Sequence, residues 1–228
     1  MTVNVSPVDN YVSHVFPVGI YAKQGILNAD ENARVLSKVY DLRKIFKEGN
    51  TEDWMSGAMS PDNCFHVTDL TEYLEFSTLI NRISDCVQEF ALYYGSDELY
   101  ECTESWYNVY SSGRYQEFHM HPYNIFSAIY YVKVPAGAAG TYFKRPDMGS
   151  MLPPKKKDTP TPLNQEVLIA PPQEGTVVIF RSNLQHSVPP STFDGERVTI
   201  ALNLSLIHIS EPTRLLSIAY ALFCVKKK

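Results

Sequence analysis

The stretch Arg197-Val-Thr-Ile-Ala-Leu-Asn-Leu204 alternates strictly between two kinds of side chain. Successive side chains of a β-strand point to opposite faces of the sheet. One face of this stretch carries Arg197, Thr199, Ala201 and Asn203, and the other carries only Val, Ile and Leu. The stretch therefore predicts a strand with one face in a hydrophobic core and one polar, small-residue face of the kind that lines a ligand cavity.

Short strand patterns fill the rest of the second half of the chain. They are rich in β-branched and aromatic residues, are separated by Gly and Pro turns, and lie at 105–110, 117–121, 126–134, 140–143, 167–170 and 176–181. Many short strands divided in this way predict a closed sandwich or barrel. The Pro-rich stretch 145–174 is too long for a hairpin turn, and we interpret it as a lid or an insertion.

The first half of the chain has helical periodicity. Asn28, with Glu31 three positions later, predicts the start of one helix, and Gly49 predicts its end. A second apolar stripe runs over residues 76–94 and is followed by Gly95. An edge strand or extended entry segment is predicted over residues 12–21. The fold class is therefore mainly β with N-terminal helices (α+β).

Composition and charge limit the classes of protein to which the chain can belong. The 228 residues include 20 Lys and Arg and 25 Asp and Glu, and the formal net charge of −5 argues against a general nucleic-acid binder. No apolar run approaches the roughly 20 residues that a bilayer span requires. The first ten residues lack the pattern of a signal peptide, so we predict a cytoplasmic protein. The four cysteines form no C-x-x-C pair, and they therefore indicate neither a zinc knuckle nor a dense disulfide framework.

The last two dozen residues have a different character. Residues 204–214, Leu-Ser-Leu-Ile-His-Ile-Ser-Glu-Pro-Thr-Arg, resemble the in-frame translation of a transposase-end sequencing adapter. We expect residues 205–228 to be a non-native tail, the alternative being a terminal amphipathic segment. The rest of the chain is predicted to be one integrated domain, in which residues 1–104 form an extended segment and buttressing helices and residues 105–204 form the β core.

Three histidines stand in a pattern that indicates a metal site. His119 and His121 are two residues apart on a predicted strand, so both side chains can face one point. His186, at the end of another predicted strand, is the candidate for a third ligand. Imidazole suits Fe, Zn, Cu and Ni, and three ligands leave open positions for substrate and oxygen. The alternative for the pair is two hydrogen-bonded histidines on a half-buried surface.

Arg197 follows His186 after a turn of ten residues, rich in Pro and Gly. A hairpin of that size can bring the arginine back beside the metal end of the preceding strand. The planar guanidinium binds a carboxylate through two parallel hydrogen bonds. The alternative is a surface ion pair of Arg197 with Glu196 or Asp194.

Eight short motifs occur in order along the second half of the chain. They are Trp106-Tyr-Asn108, Ser-Ser-Gly113, His119-x-His121-Pro122, Ser127-Ala-Ile-Tyr-Tyr-Val132, Gly140-Thr-Tyr-Phe143, Gly175-Thr-Val-Val-Ile-Phe180, His186-Ser-Val-Pro189 and Arg197-x-Thr-x-Ala-x-Asn203. Their order resembles the iron(II)- and 2-oxoglutarate-dependent dioxygenases, and is nearest the oxygenases common in marine phages and bacteria. The resemblance implies a double-stranded β-helix (jelly roll) as the catalytic core over residues 105–204.

The resemblance also implies a reaction and its cofactors, Fe(II), 2-oxoglutarate as cosubstrate, and O₂. His119 and His186 match the two histidine ligands of the family, and Arg197 matches the residue that holds the distal carboxylate of 2-oxoglutarate. The expected activity is hydroxylation of a peptidyl, amino-acid or small-molecule substrate with release of succinate and CO₂. No nucleic-acid or membrane partner is expected, and the location would be the cytoplasm of the host cell if the protein is phage-encoded.

The sequence departs from the wider family at His121, where most members have Asp or Glu. The nearest subfamily shares the H-x-H form. A neutral imidazole in place of a carboxylate removes one negative charge from the metal and should alter the metal preference. Glu117 lies on the same predicted strand face. Its carboxylate is a candidate to bind the metal directly or to contact one of the metal ligands.

Four further residues are candidates for the cavity wall. The hydroxyl of Tyr131 or of Thr199 would donate a further hydrogen bond to the carboxylate that Arg197 holds. Asn108 and Asn203 would orient substrate, the alternative being turn or strand hydrogen bonding.

Two other functions remain open from the residues. One is a three-histidine cupin-type metal enzyme that is independent of 2-oxoglutarate, in which Arg197 would be dispensable. The other is a non-catalytic jelly-roll binding module with structural histidines, which would contain no metal.

Overall fold

The computed structural model describes residues 18–45, 69–146, 161 and 165–206. Two α-helices, α1 (Ala29–Ile45) and α2 (Leu74–Leu92), lie in the first half, and a short 3-10 helix over Leu70–Glu72 leads into α2. The strands are β1 (Ile20–Gln24), β2 (Tyr100–Ser111), β3 (Gln116–His119), β4 (Phe126–Lys133), β5 (Thr141–Lys144), β6 (Val167–Ala170), β7 (Thr176–Arg181), β8 (His186–Val188) and β9 (Glu196–Leu206).

The strands form two antiparallel sheets. The larger sheet has the order β1-β7-β4-β9-β2, and the smaller has the order β3-β8-β5-β6. Strands that are distant in sequence lie next to each other in both sheets, as in a jelly roll with long connections. This arrangement agrees with the predicted fold class, mainly β with N-terminal helices.

Both helices pack on one side of the larger sheet. Their buried side chains, among them Val39 of α1 and Phe76 of α2, form a single hydrophobic cluster with Val198, Ile200 and Leu202 of β9. The apolar face of β9 predicted from its alternation is therefore the face that the helices cover. Burial of apolar side chains on this scale is the main favourable term in folding.

Helix α1 begins with the predicted capping box. The Asn28 side-chain oxygen accepts a hydrogen bond from the Glu31 amide at 2.9 Å, and the Glu31 carboxylate accepts one from the Asn28 amide at 2.9 Å. These bonds satisfy backbone donors that have no partner within the first turn. Gly95, at φ 72°, follows α2 in the left-handed conformation that favours glycine. The predicted stop at Gly49 lies outside the described residues.

Several strand limits differ from the predicted ones. Strand β2 begins at Tyr100, five residues earlier than expected, and β8 was not predicted as a strand. Strand β9 continues through Ser205 and Leu206, which pair with Glu101 and Tyr100 of β2. Residues 207–228 and most of the predicted segment 12–21 lie outside the described part of the chain, as do residues 147–160 and 162–164 of the predicted lid. Within the described ranges, no helix is long and apolar enough to cross a bilayer.

Strand β3 contains an irregularity that corrects two predictions. Gln116 pairs with Val188 and His119 pairs with His186, so three steps on β3 face two steps on β8. Such a β-bulge interrupts the alternation of faces. The strand ends at His119, so the prediction that His119 and His121 lie on one strand is wrong. The side chain of Glu117 is exposed to solvent and is not a member of the histidine cluster, which contradicts its expected role as a metal carboxylate.

Candidate metal centre

Three histidine side chains converge between the two sheets. Ligand nitrogens of His119, His121 and His186 all lie within 4.8 Å of one another. Strand pairing places His119 directly opposite His186. His121 comes from the segment after β3, where its backbone amide donates to the Ser182 carbonyl at 2.9 Å. The backbone around the β3–β8 pair thus brings together the three predicted histidines, although two of them are not on one strand.

Hydrogen bonds orient two of the three imidazole rings. The Nδ1 atom of His119 lies 2.8 Å from the Glu117 carbonyl, and Nδ1 of His186 lies 3.0 Å from the Leu184 carbonyl. A carbonyl oxygen only accepts, so we assign the ring proton to Nδ1 in both cases. The Nε2 atoms then carry lone pairs, as in metal-binding histidines that donate their other nitrogen to a backbone carbonyl.

The histidines lie in surroundings that favour the neutral ring. Burial lowers the pKa of His119. Burial, and after it the nearby His119, lowers the pKa of His121 to about 4. The side chain of His186 is buried, and burial followed by the His119 charge holds its pKa well below the usual value. Burial thus favours the neutral form of all three rings, which is the state that binds a metal ion.

Aromatic rings flank the cluster. The ring centroid of Trp106 lies 5.4 Å from that of His121, and the Phe180 centroid lies 4.7 Å from that of His186. Such an apolar shell limits solvent access to a bound metal and lowers the local dielectric.

Arg197 is buried in the same cleft with part of its hydrogen-bonding capacity unused. Its side chain is 1 % exposed, and its Nε and Nη1 atoms have no hydrogen-bond partner. The guanidinium carbon lies 4.9 Å from the centre of the Tyr110 ring and 5.3 Å from that of Tyr131. Glu196, one of the alternative surface partners, instead pairs with Arg43. A buried cation with unpaired donors is costly unless a ligand of opposite charge supplies the partners.

The paired strands β2 and β9 form the floor of the cleft. Arg197 lies beside Tyr110, and Asn108 lies beside Thr199 on the neighbouring strand. The lining of the cleft includes His119, His121, His186, Arg197, Thr199, Ala201, Asn203, Asn108 and Trp106. The structure thus confirms the predicted polar, small-residue face of β9.

The two candidate hydroxyl groups are placed differently. Thr199 is buried and lines the cleft two residues after Arg197. The Tyr131 hydroxyl instead shares a hydrogen bond of 2.8 Å with Oγ1 of Thr141. The Tyr131 ring packs beside Arg197, while Thr141 is the member of this pair that lines the cleft.

The two candidate asparagines also differ. Both polar atoms of the Asn203 side chain have partners, because its oxygen accepts from the Ser127 hydroxyl at 2.7 Å and its amide nitrogen donates to the Glu104 carboxylate at 2.7 Å. Asn108 is 5 % exposed and its side-chain oxygen has no partner. The expected alternative of internal hydrogen bonding therefore describes Asn203, whereas Asn108 presents an unused acceptor.

Sequence reasoning missed Tyr110 and Gln116 as cleft residues. Tyr110 continues the alternation of Trp106 and Asn108 along β2, so the two-residue spacing contained the signal. Gln116 reaches the cleft only because of the bulge in β3, and the four-residue strand carries no pattern from which that bulge could be predicted.

A known protein family matches the part of the chain that contains the cleft. Residues 104–203 match the model of a family described as "Putative 2OG-Fe(II) oxygenase". Residues 104–203 belong to the 2OG-Fe(II) oxygenases. The matched segment holds all three clustered histidines and Arg197. No curated protein sequence matches the chain.

Solved structures of oxygenases share the fold at low sequence identity. A prolyl-4-hydroxylase from Pseudomonas putida is 16% identical, with a TM-score of 0.54, and the match covers 83% of this chain and 93% of that one. HygX from Streptomyces hygroscopicus, crystallised with nickel, 2-oxoglutarate and hygromycin B, is 12% identical with a TM-score of 0.60, covering 83% and 84%. A prolyl hydroxylase from Trichoplax adhaerens, in complex with a hypoxia inducible factor peptide, is 15% identical with a TM-score of 0.53, covering 85% and 87%. These similarities confirm the predicted double-stranded β-helix.

The chain therefore carries a non-haem oxygenase domain with a three-histidine cluster in its cleft. The enzyme class predicted from the sequence is confirmed, and so are its cofactors, Fe(II), 2-oxoglutarate and O₂.

Proposed function

We propose that His119, His121 and His186 hold Fe(II), and that Arg197 holds the distal carboxylate of 2-oxoglutarate in the same cleft. The observation that carries this proposal is the Arg197 guanidinium, which is 1 % exposed and has two nitrogen atoms without partners. Each unpaired guanidinium N–H can donate a charge-assisted hydrogen bond to a carboxylate oxygen. The unpaired donors and the three neutral imidazoles fit an anionic cosubstrate and a divalent metal respectively.

Bound Fe(II) would supply the oxidising chemistry, in which 2-oxoglutarate and O₂ are converted to succinate and CO₂ and a substrate is hydroxylated. The contribution of this chain is positioning and charge. The ligands in the cluster are all neutral, so they do not offset the charge of the metal. We therefore expect the dianionic cosubstrate to provide that charge and to strengthen metal binding.

Residues around Arg197 hold its guanidinium in place. The rings of Tyr110 and Tyr131 lie on it, which restricts the side chain before the cosubstrate arrives. We propose that Thr199 adds a hydroxyl hydrogen bond to the same carboxylate. Tyr131 acts through its ring contact, and its hydroxyl is held by Thr141.

The substrate side of the cleft is formed by the remaining polar residues. We propose that the Asn108 side-chain oxygen accepts a hydrogen bond from a donor group on the substrate, and that Asn203, held by Ser127 and Glu104, forms a fixed wall. A small-molecule or peptidyl substrate is supported by the ligands of the similar structures, hygromycin B and a peptide. The cytoplasmic location and the phage-type origin stay predictions from the sequence.

Anaerobic titration tests the cosubstrate site directly. Fe(II) is added to the purified protein, followed by 2-oxoglutarate, and the visible metal-to-cosubstrate charge-transfer band is recorded for the wild type and for Arg197→Ala. We expect a band in the wild type and a clearly weaker cosubstrate affinity in the variant, by about ten- to a hundredfold, because a charge-assisted pair is lost. Iron binding without a band would favour the three-histidine enzyme that is independent of 2-oxoglutarate, and no metal binding would favour a binding module.

A further inference from the structure

Gln116 occupies a position between the histidine cluster and Arg197. Its side-chain oxygen accepts a hydrogen bond from the Tyr110 hydroxyl at 2.9 Å. Its amide nitrogen lies 3.3 Å from Nε2 of His119. Tyr110 in turn packs its ring against the guanidinium of Arg197. Gln116 thus contacts the cluster directly and the cosubstrate anchor through one tyrosine.

The neighbouring hydrogen bonds decide which way the amide faces. The Tyr110 hydroxyl donates to the amide oxygen, so the amide NH₂ group is directed to His119. The His119 Nδ1 proton is engaged by the Glu117 carbonyl, which leaves Nε2 as an acceptor. Gln116 therefore donates a hydrogen bond to the lone pair that a metal ion would use.

We propose that Gln116 is a positioning residue that couples metal binding to cosubstrate binding. This inference rests on the proposed function of the cleft. Without metal, the Gln116 amide occupies Nε2 of His119 and so competes with the ion. Once the ion takes that nitrogen, the amide N–H is released, and an oxygen of 2-oxoglutarate becomes its acceptor.

The two acceptors of the Gln116 amide differ in charge. In the metal-free protein the amide donates to a neutral imidazole, whereas in the complex it donates to an anionic cosubstrate. Hydrogen bonds to ionised acceptors are roughly twice as strong as those between neutral groups. The amide thus opposes metal binding in the absence of 2-oxoglutarate and favours cosubstrate binding afterwards.

Gln116→Leu tests this coupling through two affinities that should move in opposite directions. Fe(II) affinity is measured anaerobically by equilibrium dialysis without 2-oxoglutarate, and cosubstrate affinity is measured on Fe(II)-loaded protein by titrating the charge-transfer band. We expect Fe(II) to bind about three- to tenfold more tightly and 2-oxoglutarate to bind about tenfold more weakly, the size of one lost hydrogen bond in each step. Gln24→Leu, on an exposed position of β1, is the matched control and should change neither affinity.

Gln116→Glu provides a second test with the same side-chain length. The carboxylate can still accept from Tyr110 but cannot donate, and its charge attracts the metal and repels the cosubstrate. We expect the same pair of opposite shifts, each larger than in the leucine variant. Affinities that both fall, or that stay unchanged, in a wild type that binds Fe(II) and 2-oxoglutarate would overturn the coupling alone. A wild type that binds neither would overturn the proposed function and this inference with it.

Discussion

The helix-covered side and the cleft side of the larger sheet are built from the same strands but have opposite physical character. On the helix side, Val198, Ile200 and Leu202 are completely buried within a continuous apolar cluster. On the cleft side, Arg197 and Asn108 are also buried, yet both have polar atoms without partners. Three of the four unpaired buried side-chain atoms found among the described residues belong to these two cleft residues.

This difference shows how one strand can serve stability and binding at the same time. Side chains two residues apart share a face, so β9 contributes every second residue to the core and the others to the cleft. The helix side has little to gain from a ligand because its side chains are apolar and packed. The cleft side retains an energetic cost that a suitable ligand relieves, which is typical of binding sites. Variants on the two sides should therefore separate stability from ligand binding.

His186→Ala should have the largest effect of the variants considered. It should weaken Fe(II) binding and leave the fold unchanged. The change removes one of three clustered imidazoles, and His119 and His121 are too few to hold the ion tightly. We expect Fe(II) affinity to fall by at least about a hundredfold, the upper range for loss of a group that only supports a ligand. Equilibrium dialysis under anaerobic conditions measures this, with circular dichroism to check the fold. Stoichiometric iron in the variant at the wild-type affinity would contradict the three-histidine site.

Ile200→Ala should give the converse result on the helix side. Ile200 is fully buried in the cluster shared with the helices, so the variant loses apolar contacts and leaves a cavity. We expect the free energy of unfolding to fall by about 2–5 kcal/mol, measured by urea denaturation. The Fe(II) affinity of the folded variant should equal that of the wild type.

Thr199→Ala is the matched control, because Thr199 is the preceding residue on the opposite face of the same strand. It should change stability much less than Ile200→Ala and should weaken 2-oxoglutarate instead. A loss of metal binding in folded Ile200→Ala would show that the two sides are not independent.

The same alternation explains how much of the molecule could be predicted from the sequence. The β9 pattern correctly assigned Val198 to the core and Arg197 to the cleft, because a regular strand has a fixed side-chain period. The capping box at Asn28 was likewise local, since its two hydrogen bonds join residues three positions apart.

The predictions that were wrong depended on contacts between distant residues. The bulge in β3 arises from its pairing with β8, about seventy positions away, so His121 left the strand and Glu117 turned to solvent. The contact of Gln116 with His119 requires the same bulge. Periodicity within one strand cannot report a register shift that the partner strand imposes.

Arg197→Met should change stability by a small amount, and the sign of that change is informative. Arg197 is buried between two tyrosine rings with two unpaired nitrogen atoms, so in the absence of ligand its charge is a cost to the fold. Methionine has a similar length and no charge. We expect the free energy of unfolding of the ligand-free protein to rise by about 1 kcal/mol in urea denaturation, the usual scale for relieving an unsatisfied buried group.

The wild type and Arg197→Met should then respond differently to added ligand. Fe(II) with 2-oxoglutarate should raise the free energy of unfolding of the wild type, because ligands that bind only the folded state stabilise it. The variant should gain much less from 2-oxoglutarate while still responding to the metal. A ligand-free variant less stable than the wild type would show that Arg197 is held mainly by its contacts with Tyr110 and Tyr131. The cleft side of β9 would then contribute to stability as the helix side does, and the contrast between the two faces would not hold at this residue.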